Sequence, residues 1–159
     1  SNIELDLDKS NGTAIPLISI VNKKFVLNKE AIEVLSQDNK PVGIISLVGK
    51  YRTGKSFLLN RVLLNKNLTS KTFGFSVGPT VKPCTKGIWM WSKPMKVNNN
   101  HHGEDFNVYF IDTEGLGAYD EEVNHDSKIF LIAVLISSLF LASIFSGFLV
   151  LLSMETTVL

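Results

Sequence analysis

The hydrophobic positions of this chain form short segments whose spacing alternates between strand-like and helix-like periods. A polar lead-in over residues 1–15 predicts irregular structure. The β-rich runs LISIV (17–21) and KFVLN (24–28) then predict a short hairpin. The next segment, KEAIEVLS (29–36), has apolar residues at helical spacing, and Asn28 before it is the predicted N-cap of an amphipathic helix.

The next two elements bracket a glycine-containing loop. VGIISLV (42–48) is apolar apart from one serine, which predicts a strand buried on both faces. SFLLNRVLL (56–64) has the spacing of a helix. Between them, GKYRTGKS (49–56) fits the phosphate-loop pattern G-x-x-x-x-G-K-[ST]. Because a strand precedes this motif and a helix follows it, the segment predicts a nucleotide-binding site.

The residue types of this loop suit a triphosphate. Gly49 and Gly54 permit backbone conformations and close approaches that a side chain would block. Lys55 supplies a mobile positive charge for the β and γ phosphates, and the Ser56 hydroxyl is placed to ligate Mg²⁺. The loop therefore predicts that nucleotide binding requires magnesium.

A second chemical segment is NVYFIDTEG (107–115), an apolar strand that ends at a carboxylate. Asp112 at the strand tip can hold Mg²⁺ through water. In the turn that follows, the amide of Gly115 can face a γ-phosphate, and Glu114 can reach toward an attacking water. Together with the upstream loop, this segment predicts a hydrolytic site.

The stretch FSVGPTVKPCTKGIWMWS (75–92) lies between these two motifs. Its final part alternates like a strand, and its tryptophans are expected to pack in the core. The preceding loop contains Thr80 and Thr85, either of which can offer a hydroxyl to Mg²⁺ when a γ-phosphate is present. Spacing alone does not choose between these two threonines.

Composition narrows the class of protein. The 159 residues are 45% hydrophobic, a balance typical of one globular domain. Sixteen basic and fifteen acidic residues give a net charge of +1, so no global field recruits nucleic acid or an anionic membrane. The single cysteine, Cys84, excludes an internal disulfide, and the first residues lack a signal-peptide pattern. A cytoplasmic α/β domain with a mostly parallel sheet flanked by helices is expected.

Four blocks together resemble the guanylate-binding proteins, with the atlastins as the next nearest relatives. The blocks are GKYRTGKSFLLNRVL, GFSVGPTVKPCTKGIWMW, IDTEGLG and NHDSKIFLIAVLISS. The resemblance runs from Phe25 to Phe140, which leaves residues 1–24 as a lead-in with the hairpin and 141–159 as a divergent apolar segment. It implies a dynamin-like large GTPase that hydrolyses GTP with Mg²⁺ as a nucleotide-dependent homodimer.

The resemblance also implies roles for individual residues. Thr85 matches the switch threonine that binds Mg²⁺, and Glu114 matches the glutamate that organises the catalytic water. Arg52 matches an arginine finger that dimerisation turns into its own active site. The predicted catalytic residues are Arg52, Thr85 and Glu114, and the predicted metal ligands are Ser56, Thr85 and Asp112. The predicted nucleotide-binding residues are Gly49, Tyr51, Arg52, Thr53, Gly54, Lys55, Ser56, Phe57, Asp112, Thr113, Glu114 and Gly115.

The sequence departs from the family pattern at two places. Pro83-Cys84 stands where the family usually has Ser-His, so a hydroxyl of the water-activating network is missing and slow hydrolysis is expected. No residue can be assigned to guanine selection, and the domain is expected to be incomplete at its C-terminal end. A nucleotide-binding module with little turnover is therefore the alternative to a GTPase.

The C-terminal segment allows two interpretations. Residues 129–153 contain no charged side chain, and this stretch exceeds the roughly 20 residues that a helix needs to cross a bilayer. A membrane-anchored fragment is one hypothesis. The favoured hypothesis is a buried helix followed by a strand, because Asp126-Ser127 suits a helix cap and several serines dilute the apolar character.

Overall fold

The computed structural model of the chain describes residues 3–6, 12–50, 53–63, 74–75, 87–99, 104–116, 123–145 and 148–153. The strands within these ranges are β1 (Ile3–Asp6), β2 (Ala14–Val21), β3 (Lys24–Leu27), β4 (Val42–Gly49), β5 (Ile88–Trp91), β6 (Met95–Asn99), β7 (Phe106–Thr113), β8 (Leu139–Phe145) and β9 (Phe148–Ser153). The helices are α1 (Lys29–Ser36), α2 (Lys55–Leu58) and α3 (Val123–Ile136), and a π-helical turn (Leu59–Leu63) continues α2.

The described strands form one mixed sheet. Its order is β3-β2-β5-β7-β4-β8-β9, and β6 pairs with both β7 and β1. Parallel pairing occurs at the centre, where β4 lies between β7 and β8. The other described pairs are antiparallel. The α/β class is confirmed, but the sheet is mixed rather than mostly parallel. Parallel neighbours need a long crossover, and strands separated by only a few residues in the sequence, such as β8 and β9, pair antiparallel instead.

The N-terminal part of the sheet contains the predicted hairpin. β2 and β3 pair antiparallel from Ile18↔Leu27 to Val21↔Lys24. The two turn residues, Asn22 and Lys23, have φ of 50° and 62°. Positive φ at both positions matches the twist of the flanking strands in a two-residue turn. The hairpin is therefore confirmed.

The lead-in is not irregular throughout, because Ile3–Asp6 forms β1 and pairs antiparallel with β6. Its sequence, IELD, alternates apolar and polar residues with the period of a strand. The overall polarity of residues 1–15 concealed this short pattern.

The predicted cap of α1 is confirmed, since the Asn28 side chain accepts a 3.0 Å hydrogen bond from the Glu30 amide.

Both faces of the central strands are buried, and the helices cover them. Successive residues of a strand point to opposite faces. On one face, Ile111 of β7 lies in a buried cluster with Ala31 of α1 and Ile129 of α3. On the other face, Phe110 lies in a cluster with Leu59, which begins the π-helical turn after α2. Within this buried sheet, the parallel pairing of β4 with β7 places the carboxyl ends of both strands side by side.

The C-terminal segment follows the favoured interpretation. α3 ends at Ile136 and buries Ala133 against the sheet. β8 then pairs parallel with β4, and β9 returns antiparallel along β8. Leu135 on the outer side of α3 is 77% exposed. In the described part of the chain, no helix combines the length and apolarity needed to cross a membrane.

Candidate functional site

The phosphate-loop motif follows β4 and leads directly into α2. Gly54 has φ of +79°, and no atom lies within 4 Å of the place where its Cβ would be. Glycine is therefore needed at this position because of the positive φ, and not because a side chain would clash with a neighbouring atom. Two side chains of the loop hold the same acceptor. The Thr53 hydroxyl and the Lys55 ammonium donate to the Lys50 carbonyl over 2.8 Å and 3.1 Å.

Lys55 is buried at the start of α2, with 6% of its surface exposed. Burial lowers the pKa of its ammonium group, and the negative charge of Asp112 opposes this shift. A buried ammonium is stable only where it has hydrogen-bond acceptors or opposite charge. The site is therefore built to hold a positive charge beside acceptor oxygens.

Ser56 and Asp112 meet at the carboxyl edge of the parallel strands. The Ser56 hydroxyl donates to Oδ2 of Asp112 over 2.5 Å. β4 and β7 pair in parallel with Leu47 opposite Asp112, so their carboxyl ends lie at one edge. A hydroxyl and a carboxylate are hard oxygen donors of the kind that Mg²⁺ accepts. The two residues fit the predicted magnesium site by their chemistry and their proximity.

The turn after β7 is tied to the phosphate loop by backbone contacts. The Thr113 hydroxyl donates to the Leu47 carbonyl over 3.1 Å. The Leu116 amide donates to the Gly49 carbonyl over 3.0 Å, and Lys50 and Leu116 form a parallel bridge. The two predicted motifs are thus held against each other. Gly115 lies within this connected turn and is partly exposed.

Glu114 is buried, with 1% of its surface exposed. Its Oε2 accepts a 2.8 Å hydrogen bond from the Gly87 amide, and its own amide donates to the Gly87 carbonyl over 2.9 Å. Its Oε1 contacts Nε2 of His125, in the first part of α3. Both oxygens of the carboxylate are therefore held by contacts, two residues after Asp112 in the sequence.

His125 was missed by the sequence analysis. The available signal was topological. α3 begins soon after the Asp-Thr-Glu-Gly turn, so its first residues must return to the same edge of the sheet.

Asn60 was also missed. It follows α2 and holds the backbone of Phe75 on both sides, accepting from the amide over 2.7 Å and donating to the carbonyl over 2.9 Å.

Several predicted site residues lie outside the described residues. These are Tyr51, Arg52, Thr80 and Thr85, together with Pro83 and Cys84. Among the described ones, Phe57 is 43% exposed at the start of α2. The structure thus brings together Gly49, Thr53, Gly54, Lys55, Ser56, Asp112, Thr113, Glu114 and Gly115.

Comparison with known proteins gives a consistent family. Residues 22–147 match the family model described as guanylate-binding protein, N-terminal domain. The chain is 43% identical to guanylate-binding protein 2 of Homo sapiens over 125 residues, covering 78% of this chain and 19% of that protein. It is 46% identical to guanylate-binding protein 7 of Homo sapiens over 116 residues, covering 72% of this chain and 16% of that protein. Guanylate-binding protein 5 of Mus musculus is 42% identical over 125 residues, with coverage of 78% and 19%.

The chain spans about a fifth of the length of these curated relatives. The family match includes both the phosphate loop and the turn after β7. The matched range therefore includes every described residue that lies at the site. The chain belongs to the guanylate-binding protein family.

Proposed function

We propose that this protein binds GTP and Mg²⁺ and hydrolyses GTP to GDP and phosphate. In this proposal, the hydrolysis depends on dimerisation of the nucleotide-bound protein. The observation that carries the proposal is the convergence of Lys55, Ser56, Asp112 and Glu114 at one edge of the sheet. A cation, two hard oxygen donors and a buried carboxylate are the groups that phosphoryl transfer to water requires. The relatives are named for guanylate binding, which supports guanine as the base.

Lys55 binds the triphosphate in this proposal. Its ammonium donates to a neutral carbonyl of its own loop, that of Lys50. A phosphate oxygen is a stronger acceptor because it is charged. Nucleotide binding therefore exchanges the carbonyl for phosphate, and it offsets the cost of burying the ammonium.

Ser56 and Asp112 would hold the magnesium ion, Ser56 directly and Asp112 through water. When bound, Mg²⁺ neutralises charge on the phosphate oxygens. Magnesium usually binds one or two protein groups and fills its other positions with phosphate and water. Ser56 and Asp112 are two such protein groups, and they lie within hydrogen-bond distance of each other.

Hydrolysis requires a water molecule that is oriented toward the γ-phosphorus. Glu114 is the proposed orienting group, since it accepts hydrogen bonds and lies two residues from Asp112. The water oxygen forms a bond to the γ-phosphorus, and the bond to the β–γ bridging oxygen breaks, giving GDP and phosphate. By resemblance to the guanylate-binding proteins, Arg52 would stabilise the charge that develops on the phosphate oxygens. Thr85 would add a hydroxyl ligand for magnesium.

The proposal is tested by following phosphate release and molecular mass together. Purified protein receives GTP, ATP or a non-hydrolysable GTP analogue in the presence of Mg²⁺. Phosphate release is expected with GTP but not with ATP. In the presence of the non-hydrolysable analogue, the molecular mass of the protein is expected to double. Binding without release, or release from a protein that stays monomeric, would contradict the corresponding part of the proposal.

Arg52 has a matched control in the same region. Arg61 is exposed on the π-helical turn after α2. Arg52→Ala is expected to slow phosphate release by about three orders of magnitude with little change in GTP affinity. Arg61→Ala is expected to change neither quantity. An unchanged rate in Arg52→Ala rejects the arginine-finger role.

A second candidate is a module that binds nucleotide and turns it over slowly. It is favoured by Pro83, which provides neither the hydroxyl nor the amide proton that the family's serine supplies at this position. Pro83→Ser distinguishes the two candidates. A large gain in phosphate release, at unchanged GTP affinity, would show that proline limits hydrolysis in the native chain.

A further inference from the structure

Glu114 makes one contact that the proposed reaction does not explain. Its Oε1 contacts Nε2 of His125, while its Oε2 accepts from the Gly87 amide. His125 lies in α3 and Gly87 immediately precedes β5. The carboxylate is therefore held between two separate elements of the fold.

The two contacts do not use the full hydrogen-bonding capacity of the carboxylate. An ionised carboxylate has about four lone-pair positions on its two oxygens. The Gly87 amide donates to one oxygen and Nε2 of His125 contacts the other, so each contact uses one position. The remaining positions have directions that are fixed by these two contacts, so a water bound there would be oriented.

The ring of His125 is itself fixed. It stacks on Phe25 of β3, with ring centroids 5.6 Å apart and planes inclined by 10°. A stacked ring loses rotational freedom about its χ2 bond. Phe25 therefore holds the plane in which Nε2 faces Glu114.

We propose that His125 is a positioning residue for Glu114, which donates from Nε2 to the carboxylate and sets the direction in which Glu114 orients the attacking water. This inference rests on the proposed GTP hydrolysis at the same site. His125 itself touches neither nucleotide nor water in this role. Its effect should therefore appear in kcat and not in nucleotide affinity.

Three substitutions separate hydrogen bonding from packing. His125→Phe keeps an aromatic ring on Phe25 and removes the donor. His125→Gln removes the ring and keeps an N–H donor at similar reach. His125→Ala removes both. The His125 side chain is 24% exposed, so the native pocket is partly open and tolerates these changes in shape.

The expected order of activities follows from the donor. His125→Phe and His125→Ala are expected to lower kcat about tenfold or more, because a hydrogen bond to a charged group is lost. His125→Gln is expected to retain kcat within about threefold. KM is expected to stay unchanged in all three. If His125→Phe retains activity and His125→Gln loses it, the residue acts by packing and the proposal is overturned.

A spectroscopic measurement tests the contact without turnover. In wild-type protein labelled with ¹⁵N, the Nε2 proton of His125 should be visible and slow to exchange. Glu114→Ala should make the same proton exchange rapidly. An unprotected proton in the wild type, or one unaffected by Glu114→Ala, would reject the contact. A protected proton in a protein without GTP hydrolysis would instead reject the proposed function and keep the contact.

Discussion

The Ser56 hydroxyl donates a 2.5 Å hydrogen bond to Oδ2 of Asp112, although 56 positions separate the two residues along the chain. Parallel pairing of β4 with β7 produces this contact, because it places the ends of both strands at one edge. In the proposed magnesium complex the same two groups would bind the ion. The hydrogen bond then keeps the two ligands together before the ion arrives.

Ser56→Ala is expected to weaken nucleotide binding about tenfold or more in Mg²⁺, because one oxygen ligand of the ion is lost. Titration with a fluorescent GTP analogue measures the affinity, first with Mg²⁺ and then with EDTA. The variant and wild type should converge in EDTA. Ser36→Ala, at the exposed end of α1, is the control and should match wild type in both buffers. A loss of affinity that persists in EDTA would argue against a magnesium role.

If the protein binds GTP as proposed, GTP should raise the Tm of the wild type, and Lys55→Met is expected to abolish that rise. Methionine keeps a similar length but removes the charge that binds phosphate. Thermal unfolding with and without nucleotide measures this effect, since a ligand that binds the folded state raises its stability. Lys96→Met, an exposed position on β6, should retain the full shift. A normal nucleotide shift in Lys55→Met would remove Lys55 from the site.

The part of the site that the sequence predicts is the part encoded by local pattern. The apolar runs that became β4 and β7, the glycine spacing and the terminal Asp112 are all visible within short windows. Parallel pairing then brings two such windows together. Sequence alone therefore predicts that Lys55, Ser56 and Asp112 belong to one site.

The other features depend on contacts between distant residues. His125 lies in the block NHDSKIFLIAVLISS, but no spacing rule assigns it to the site, and its proposed role depends on where α3 returns to the sheet. The pairing of β5 with β2 and β7 is equally absent from the periodicity, because period two indicates a strand and not its neighbour. The short strand β1 was hidden for a further reason, since four residues give too little alternation to stand out in a polar segment.

Asp38→Ala is expected to lower the free energy of unfolding by about 1–3 kcal/mol at neutral pH, because it leaves buried donors without their acceptor. Asp38 accepts hydrogen bonds of 2.9 Å from both the Asn107 side chain and the Tyr109 hydroxyl. Urea unfolding measures the loss. Asp105→Ala is the control, because its ion pair with Lys40 is exposed and contributes little.

Acid should remove the stabilisation that Asp38 gives. Burial raises the pKa of Asp38, but the hydrogen bonds from Asn107, Lys40 and Tyr109 and the charge of Lys40 together lower it below 3.8. A carboxyl whose pKa is lowered in the folded state stabilises the fold at pH values above its unfolded-state pKa. This stabilisation is lost as the pH falls through the folded-state pKa. The stability difference between wild type and Asp38→Ala should therefore shrink below pH 3.8. A constant difference across this range would contradict the assignment.

Gly87→Ala is expected to cost roughly 2–4 kcal/mol of stability and to slow GTP hydrolysis. Gly87 has φ of +74°, and its Cβ would lie 2.2 Å from the Ile18 carbonyl oxygen, which belongs to β2 and cannot easily move. Any shift of Gly87 also displaces the amide that holds Glu114. Gly43→Ala in β4 is the matched control, because its Cβ would meet Val108 at an ordinary 3.6 Å. Chemical unfolding and phosphate release measured on both variants should separate them, and equal behaviour would show that the Gly87 contact matters for neither property.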